Sequence, residues 1–296
     1  MSRGYKPVTG IKKGASPTAR RVIAYIVLIF LSVLCLFWFY LLLIYSTRSH
    51  SAIQSGISFI PSNNFIKNFI SVKNATQPVF KGLLNSFIIA TLTALLSTYF
   101  STMTAYAIHV YDFKLKGFIF TFILMIMMVP TQVTVLGFVQ WLDVLHLRGN
   151  GNYVDYIGLI VPSIAAPVTF YYLKQYMESA LPLALIEAAR IDGSNEVRTF
   201  NTIALPLMSP AISVQAIFTF VGSWNNYFVP SQVLTQKESL KTVPILLAEL
   251  RSADFMKFDM GQVYMTIFLS IFPVIIVYLI LSRNIVSGLS MGSVKG

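Results

Sequence analysis

The chain is 296 residues long with a mass of 33.1 kDa; 55% of it is Ala, Val, Ile, Leu, Met, Phe, Trp, Tyr or Cys, and only 11% is charged. Soluble domains carry roughly a quarter charged residues, so there are too few charges here to coat a water-facing surface, and a soluble enzyme or binding module is excluded. The net charge of +11 in so apolar a chain records topology and anionic lipid rather than nucleic acid, and the single cysteine, Cys35, has no internal disulfide partner.

Charged residues interrupt the sequence at long intervals, leaving six apolar stretches that approach or exceed the roughly 20 residues needed to cross a hydrocarbon core as a helix. In chain order they are residues 22–47, 82–111, 117–142, 156–173, 207–233 and 260–282. The fourth is short and carries Pro162 and Pro167; the fifth begins after the breaks at Pro206 and Pro210. Helices are expected rather than barrel strands, because the stretches are apolar on all faces without period-two alternation. The expected fold is an all-α membrane protein of six transmembrane helices. Its parts are a basic tail (1–21), a six-helix region (22–282) and a C-terminal tail (283–296), glycine- and serine-rich and expected to be disordered alone.

Orientation follows from the basic residues. The tail before the first stretch holds Arg3, Lys6, Lys12, Lys13, Arg20 and Arg21 and no acid, which places the N-terminus in the cytoplasm. With that choice 13 of the 22 Lys and Arg fall inside and 9 outside, and six crossings return the C-terminus to the cytoplasm. The first apolar run is much longer than the h-region of a signal peptide, and no small-residue cleavage site closes it, so it reads as an anchor.

None of the six stretches contains Asp, Glu, Lys or Arg away from its edges. A transporter driven by an ion gradient needs a titrating or mobile charge at membrane depth, so that class loses its basis. His109, at the inner end of the second stretch, reads as an interfacial polar residue, and His50 and His146 lie far apart in outer loops, with no pair of histidines at metal-ligand spacing. No H-E-x-x-H, G-x-S-x-G or G-x-x-x-x-G-K-[ST] motif occurs, so neither hydrolase chemistry nor a P-loop is expected on this chain. Uphill movement would draw its energy from another subunit.

The inner segment 174–206 differs from the other connections. A short amphipathic helix is expected from Pro182, suited to a first turn, to Gly193, suited to the position just past a helix end. Leu185, Ala188, Ala189 and Asp192 fall at i, i+3, i+4 and i+7, giving one flat side. The two alanines permit a partner's backbone to approach, while Glu187, Arg190 and Asp192 can set its register. Ser194 is the expected N-cap of a second helix, with Glu196 in its first turn and Val197, Phe200 and Ile203 as its apolar stripe. A contact in the groove of a cytoplasmic protein is one reading; a helix lying on the bilayer is the other, though such helices are usually rich in Lys and Arg.

The run Glu187-Ala188-Ala189-Arg190-Ile191-Asp192-Gly193, followed by Phe200, Ile203-Ala204-Leu205-Pro206-Leu207 and Pro210, resembles the EAA loop of permease subunits of bacterial ABC sugar importers. Asn85-Ser86, Ala105-Tyr106-Ala107, Met128-Val129-Pro130-Thr131-Gln132, Trp224-Asn225-Asn226-Tyr227 and Val294-Lys295-Gly296 extend the resemblance over nearly the whole chain, in order. One departure is Ala184, where the family commonly carries an acid.

The resemblance implies a type I ABC importer permease, itself non-catalytic, in the bacterial inner membrane. It also implies a second, homologous permease subunit, two ATP-binding subunits holding ATP and Mg, an external solute-binding protein and a carbohydrate substrate. Glu187, Ala188, Ala189, Arg190, Asp192 and Gly193 would couple to the ATPase. Trp224, Asn225, Asn226 and Tyr227 are the candidates for a pore-facing or substrate-facing stretch, since aromatic faces and amides suit a saccharide; interfacial anchoring is the alternative for them. A permease for a non-sugar solute and a secondary transporter remain as rival readings.

Overall fold

The computed structural model describes residues 17–252 and 259–292, with side chains for 21–251 and 259–282; most of the basic tail and the Val294-Lys295-Gly296 ending lie outside the described residues. All regular structure among the described residues is helical: α1 (Pro17–Ser46), α2 (His50–Gln54), α3 (Phe65–Lys73), α4 (Val79–Val110), α5 (Lys116–Met127), α6 (Thr131–Val144), α7 (Val154–Ile160), α8 (Pro167–Ala180), α9 (Leu183–Ile191), α10 (Glu196–Thr199), α11 (Leu205–Leu207), α12 (Ser209–Trp224), α13 (Phe228–Val233), α14 (Val243–Ser252) and α15 (Met260–Gly292).

Four apolar helical segments are long enough to cross a membrane: Arg21–Ser46, Val79–Val110, Val154–Ala180 and Met260–Ser282. The other two expected crossings are not straight. Helices α5 and α6 meet at 101°, so the stretch 117–142 is a bent pair rather than one continuous helix. The cause is Pro130, which has no N–H to donate and excludes Val129 before it from helical geometry; Pro130 itself is extended, at φ −64° and ψ 131°.

The segment Glu196–Leu207 meets α12 at 80°. There the helix widens over Phe200–Ala204 into i→i+5 pairing just before Pro206, and turns again at Pro210. Helix α12 then ends at Trp224, short of the expected 233, and α13 is a separate piece. The last helix runs on through Gly292 instead of stopping at Ser282.

Helix α4 is the axis of the bundle and packs against α12 and α8. Its contact side is built of small residues, Ala90, Ala94, Ser97, Ser101 and Ala105, which allow close approach where no hydrophobic drive separates helix from lipid. Two cores form at its ends. One joins Ile108, Phe170, Leu173, Met177, Ile186, Phe200 and Met208; the other joins Ile89, Leu142, Tyr156, Ile160, Val233 and Leu240. Helix α1 stands apart, its side chains from Arg21 to Phe39 exposed, and is attached through its last turns to α15, where Tyr45 and Tyr264 rings lie 5.0 Å apart.

Candidate functional site

Helix α9 and the turn after it form the best-defined polar assembly in the segment 174–206. Pro182 precedes the helix in extended conformation, so the helix begins at Leu183, one residue after the expected start. At the other end Asp192 is the C-cap, and Gly193 takes φ +77°, the left-handed geometry in which a Cβ would crowd the following carbonyl. Two backbone bonds close the turn, from Gly193 N–H to the Arg190 carbonyl at 3.0 Å and from Ser194 N–H to the Ala189 carbonyl at 2.9 Å. This is the six-to-one and five-to-two pairing by which a helix end satisfies its orphan carbonyls.

The N-cap of the next helix is Asn195, not Ser194. Its side-chain oxygen accepts from Arg198 N–H at 2.8 Å, while the Ser194 hydroxyl is occupied in accepting from Thr199 at 2.9 Å. The amphipathic face also differs from expectation. Ile186 and Ala189 are buried, at 1% and 6% exposure, so Ala189 faces the chain's own core and only Ala188 of the two alanines faces outward. The outward row is Leu185, Ala188 and Ile191, with Glu187 and Asp192 beside it. The expected stripe of Val197, Phe200 and Ile203 divides: Val197 is 72% exposed, Ile203 is partly buried and Phe200 is buried.

Arg190, although exposed, is paired within the chain. Its Nε donates to Glu196 Oε1 at 2.7 Å across the Gly193 turn, and its guanidinium lies 5.6 Å from the centre of the Tyr111 ring. The Tyr106 hydroxyl donates to Glu196 Oε2 at 3.2 Å, and the Tyr106 ring meets those of Tyr111 and Phe200 edge to face. The Arg190 guanidinium, followed by the Tyr111 hydroxyl, holds the Glu196 carboxyl below its usual range, and Glu196 in turn raises Arg190. Burial first, then Glu196, pushes the Tyr111 phenol up. At the start of α9, His109 Nε2 lies 2.9 Å from the Leu181 carbonyl. Both ends of α9 are therefore tied to the end of α4.

The second candidate stretch divides. Trp224 is 4% exposed and stacks on Phe220 at 5.8 Å between ring centres, against Ala90 and Ala94, so within this chain it is a core residue. Asn225 caps α12 through its backbone and is exposed, Asn226 accepts from Val229 N–H at 3.3 Å, and Tyr227 is 48% exposed. Three of the four thus surround a helix break, where backbone groups left unpaired by the helix need polar company.

Residues 97–290 match the family described as binding-protein-dependent transport system inner membrane component. The chain belongs to this family. It is 36% identical over 272 residues to the arabinooligosaccharides transport system permease protein AraQ of Bacillus subtilis, covering 90% of this chain and 92% of that one. It is 30% identical to the trehalose/maltose transport system permease protein MalG of Thermococcus litoralis, covering 94% and 98%. In three dimensions it superposes with a TM-score of 0.74 and 20% identity on a chain of a bacterial ABC transporter involved in the import of the acidic polysaccharide alginate, covering 93% and 99%. The fold is that of a type I ABC importer permease.

The permease keeps its charges at the ends of its spans. The Asp155 carboxylate, 1% exposed, accepts from the backbone N–H groups of Asn150 and Gly151 and from the Asn150 amide. Lys174 pairs with Glu178 one helical turn on. Lys241 is enclosed by Glu238 and Glu249; burial alone would lower the ammonium, and the two carboxylates instead raise it above its usual value. Among the described residues, no three His, Cys, Asp or Glu come together as a metal site.

Sequence reasoning missed Tyr106 and Tyr111 as partners of Glu196. The available signal was a pair of tyrosines at an inner helix end, opposite a loop with an unpaired count of charges.

Proposed function

We propose that this permease is one of two membrane subunits of an ATP-driven importer of oligosaccharides, and that α9 is the element through which separate ATPase subunits drive it. The observation that carries the reading is the construction of α9: Ile186 anchored in the core, the Gly193 turn closed, and an exposed row of Leu185, Ala188 and Ile191 flanked by Glu187 and Asp192. A helix fixed on one side and apolar on the other fits a groove in a partner. Glu187, Ala188 and Asp192 make that contact; Ala189, Arg190 and Gly193 hold its shape.

Each bent pair is taken as one crossing, which makes six and puts both termini on one side, and the basic residues up to Arg21 are the reason for making that side the cytoplasm. ATP and Mg sit on the partner subunits. Closure of those subunits moves α9, and the permease pair alternates between outward-facing and inward-facing states. ATP can shift that equilibrium only by as much as it favours one state over the other. Outside, segments 48–81 and 237–259 receive the solute-binding protein. Relatives named for arabinooligosaccharides and for trehalose or maltose support a saccharide cargo, with Asn225, Asn226 and Tyr227 as its first candidates for contact.

The test is reconstitution of this chain with its second permease, ATPase and binding protein in vesicles, offering arabinooligosaccharide, maltose and glycerol 3-phosphate in turn. An oligosaccharide should stimulate ATP hydrolysis and accumulate inside. Stimulation by glycerol 3-phosphate alone would overturn the oligosaccharide reading.

A further inference from the structure

Helix α4 is gripped at both ends by side chains that hold irregular backbone. At its inner end His109 and Tyr106 tie down the two ends of α9, as described above. At its other end Asn85, 4% exposed, donates through Nδ2 to the Ser239 carbonyl at 2.9 Å and the Lys241 carbonyl at 3.1 Å. The next residue, Ser86, 2% exposed, accepts from Val243 N–H at 2.9 Å. Three backbone groups of segment 239–243 are thus satisfied by two side chains of α4. Gly82, one turn earlier on the same face, leaves room for Leu246: a Cβ there would stand 2.5 Å from Leu246 Cδ1.

A buried asparagine in an apolar helix is unfavourable unless its hydrogen bonds are made, and here both bonds donated by the amide go to the same outer segment. That segment leads directly into α14. Its position therefore depends on where α4 stands. Tyr106 stands 21 positions after Asn85, a rise of about 32 Å at 1.5 Å per residue, close to the thickness of a hydrocarbon core.

The other crossings cannot serve as such a link. The α5/α6 and Glu196–Leu207/α12 pairs are sharply bent, Val154–Ala180 is interrupted at residues 161–166, and α15 contains Pro273. Among the described side chains, helix α1 is buried only in its last turns. Among the described residues α4 is the one unbroken helix with polar anchors at both ends.

We infer that α4 is a rigid lever joining the α9 loop to the outer segment 239–252, and that Asn85 and Ser86 are positioning residues which carry the state of the ATPase to the outer face. A tilt of about 5° over that length displaces the outer end by about 3 Å, on the scale of the helix shifts that operate other switches. The inference rests on the proposed coupling role of α9. Its physical warrant is an element that both sites bias, rather than proximity alone.

The test uses the complete complex with Cys35→Ser as background. A nitroxide is attached at Leu183→Cys, exposed in the first turn of α9 and outside the row proposed for the ATPase contact, or at Arg251→Cys, on α14, and spectra are taken without nucleotide and after trapping with ATP, Mg²⁺ and vanadate. In the parent both labels should change on trapping. With Asn85→Ala and Ser86→Ala combined, the Leu183 label should respond as before while the Arg251 response falls at least threefold. A merely structural defect would alter the Arg251 spectrum in both states without removing its dependence on ATP. An undiminished ATP response at Arg251, or its loss together with that at Leu183, overturns the lever. Absence of any response at Leu183 in the parent would instead remove the coupling role on which the lever depends.

Discussion

Replacement of Gly193 separates backbone geometry from surface contact. A Cβ at this position meets nothing within 4 Å, so no clash opposes a larger residue within the chain, and the penalty comes from φ +77° alone. Forcing an L side chain into the left-handed region costs about 1–2 kcal/mol, and more for a β-branched one, whereas asparagine visits the region with several-fold enrichment. At 1.4 kcal/mol per factor of ten, Gly193→Val lowers the population of the closed turn roughly tenfold or more against its open alternatives. Opening it releases the Ser194 and Gly193 backbone bonds and separates Arg190 from Glu196.

The assay is the ratio of sugar taken up to ATP hydrolysed in reconstituted vesicles. Gly193→Asn should stay within about threefold of the parent, Gly193→Ala should lose up to about tenfold, and Gly193→Val should lose more while still inserting and assembling. Asparagine and valine are of comparable bulk. Equal loss in both would mean that the surface at Gly193 matters and the turn geometry does not; normal coupling in Gly193→Val would refute the reasoning altogether.

The other expectations can be checked more simply. Because Arg190 holds Glu196 below its ordinary range, the stabilisation of the turn is fully present above about pH 4.3 and is lost as pH falls through the lower folded value. A spin label at Val197→Cys in the Cys35→Ser background should therefore stay tight down to about pH 4.3 and loosen only below it, and Glu196→Gln should already be loose at neutral pH. At Gly261 a Cβ would lie 2.8 Å from Asn68 Oδ1 and 2.9 Å from the Arg48 carbonyl, a backbone atom that cannot step aside. Gly261→Ala should cost about 1–3 kcal/mol as an overpacked site, seen as a lowered melting temperature, while Gly222→Ala, with open space, should not. Trp224→Ala should likewise destabilise by about 3–5 kcal/mol, whereas Tyr227→Ala should leave stability unchanged; the reverse order in thermal unfolding would reject the core assignment of Trp224.

Helices α1, α4 and α15 are legible in the sequence because an unbroken apolar run between charges has few alternatives in a bilayer. The direction of a run is not legible in the same way. Composition registers that residues 117–142 are apolar, and prolines are tolerated within membrane helices, so Pro130 alone does not announce a turn of 101°.

In α9 the period of apolar residues is plain, but periodicity says that a face is covered without saying by what. Ile186 and Ala189 are covered by this chain, and Leu185, Ala188 and Ile191 are left open. The internal use of Arg190 was hidden for a related reason. Its partner Glu196 lies six residues on, beyond the i+4 reach of a helix, and the pair meets only because the Gly193 turn reverses the chain. Asn85 and Ser86 stand out in sequence as polar residues in an apolar run, yet their partners are more than 150 residues away.

The central claim is that ATP hydrolysed elsewhere, and no ion gradient, drives solute through this permease. The most direct measurement is oligosaccharide accumulation in vesicles holding the whole complex and its binding protein, with ATP supplied and with proton and sodium gradients collapsed by ionophores. Uptake should require ATP and binding protein and persist undiminished with the gradients gone. Uptake that fails when the gradients are dissipated, or proceeds without ATP, would contradict the account.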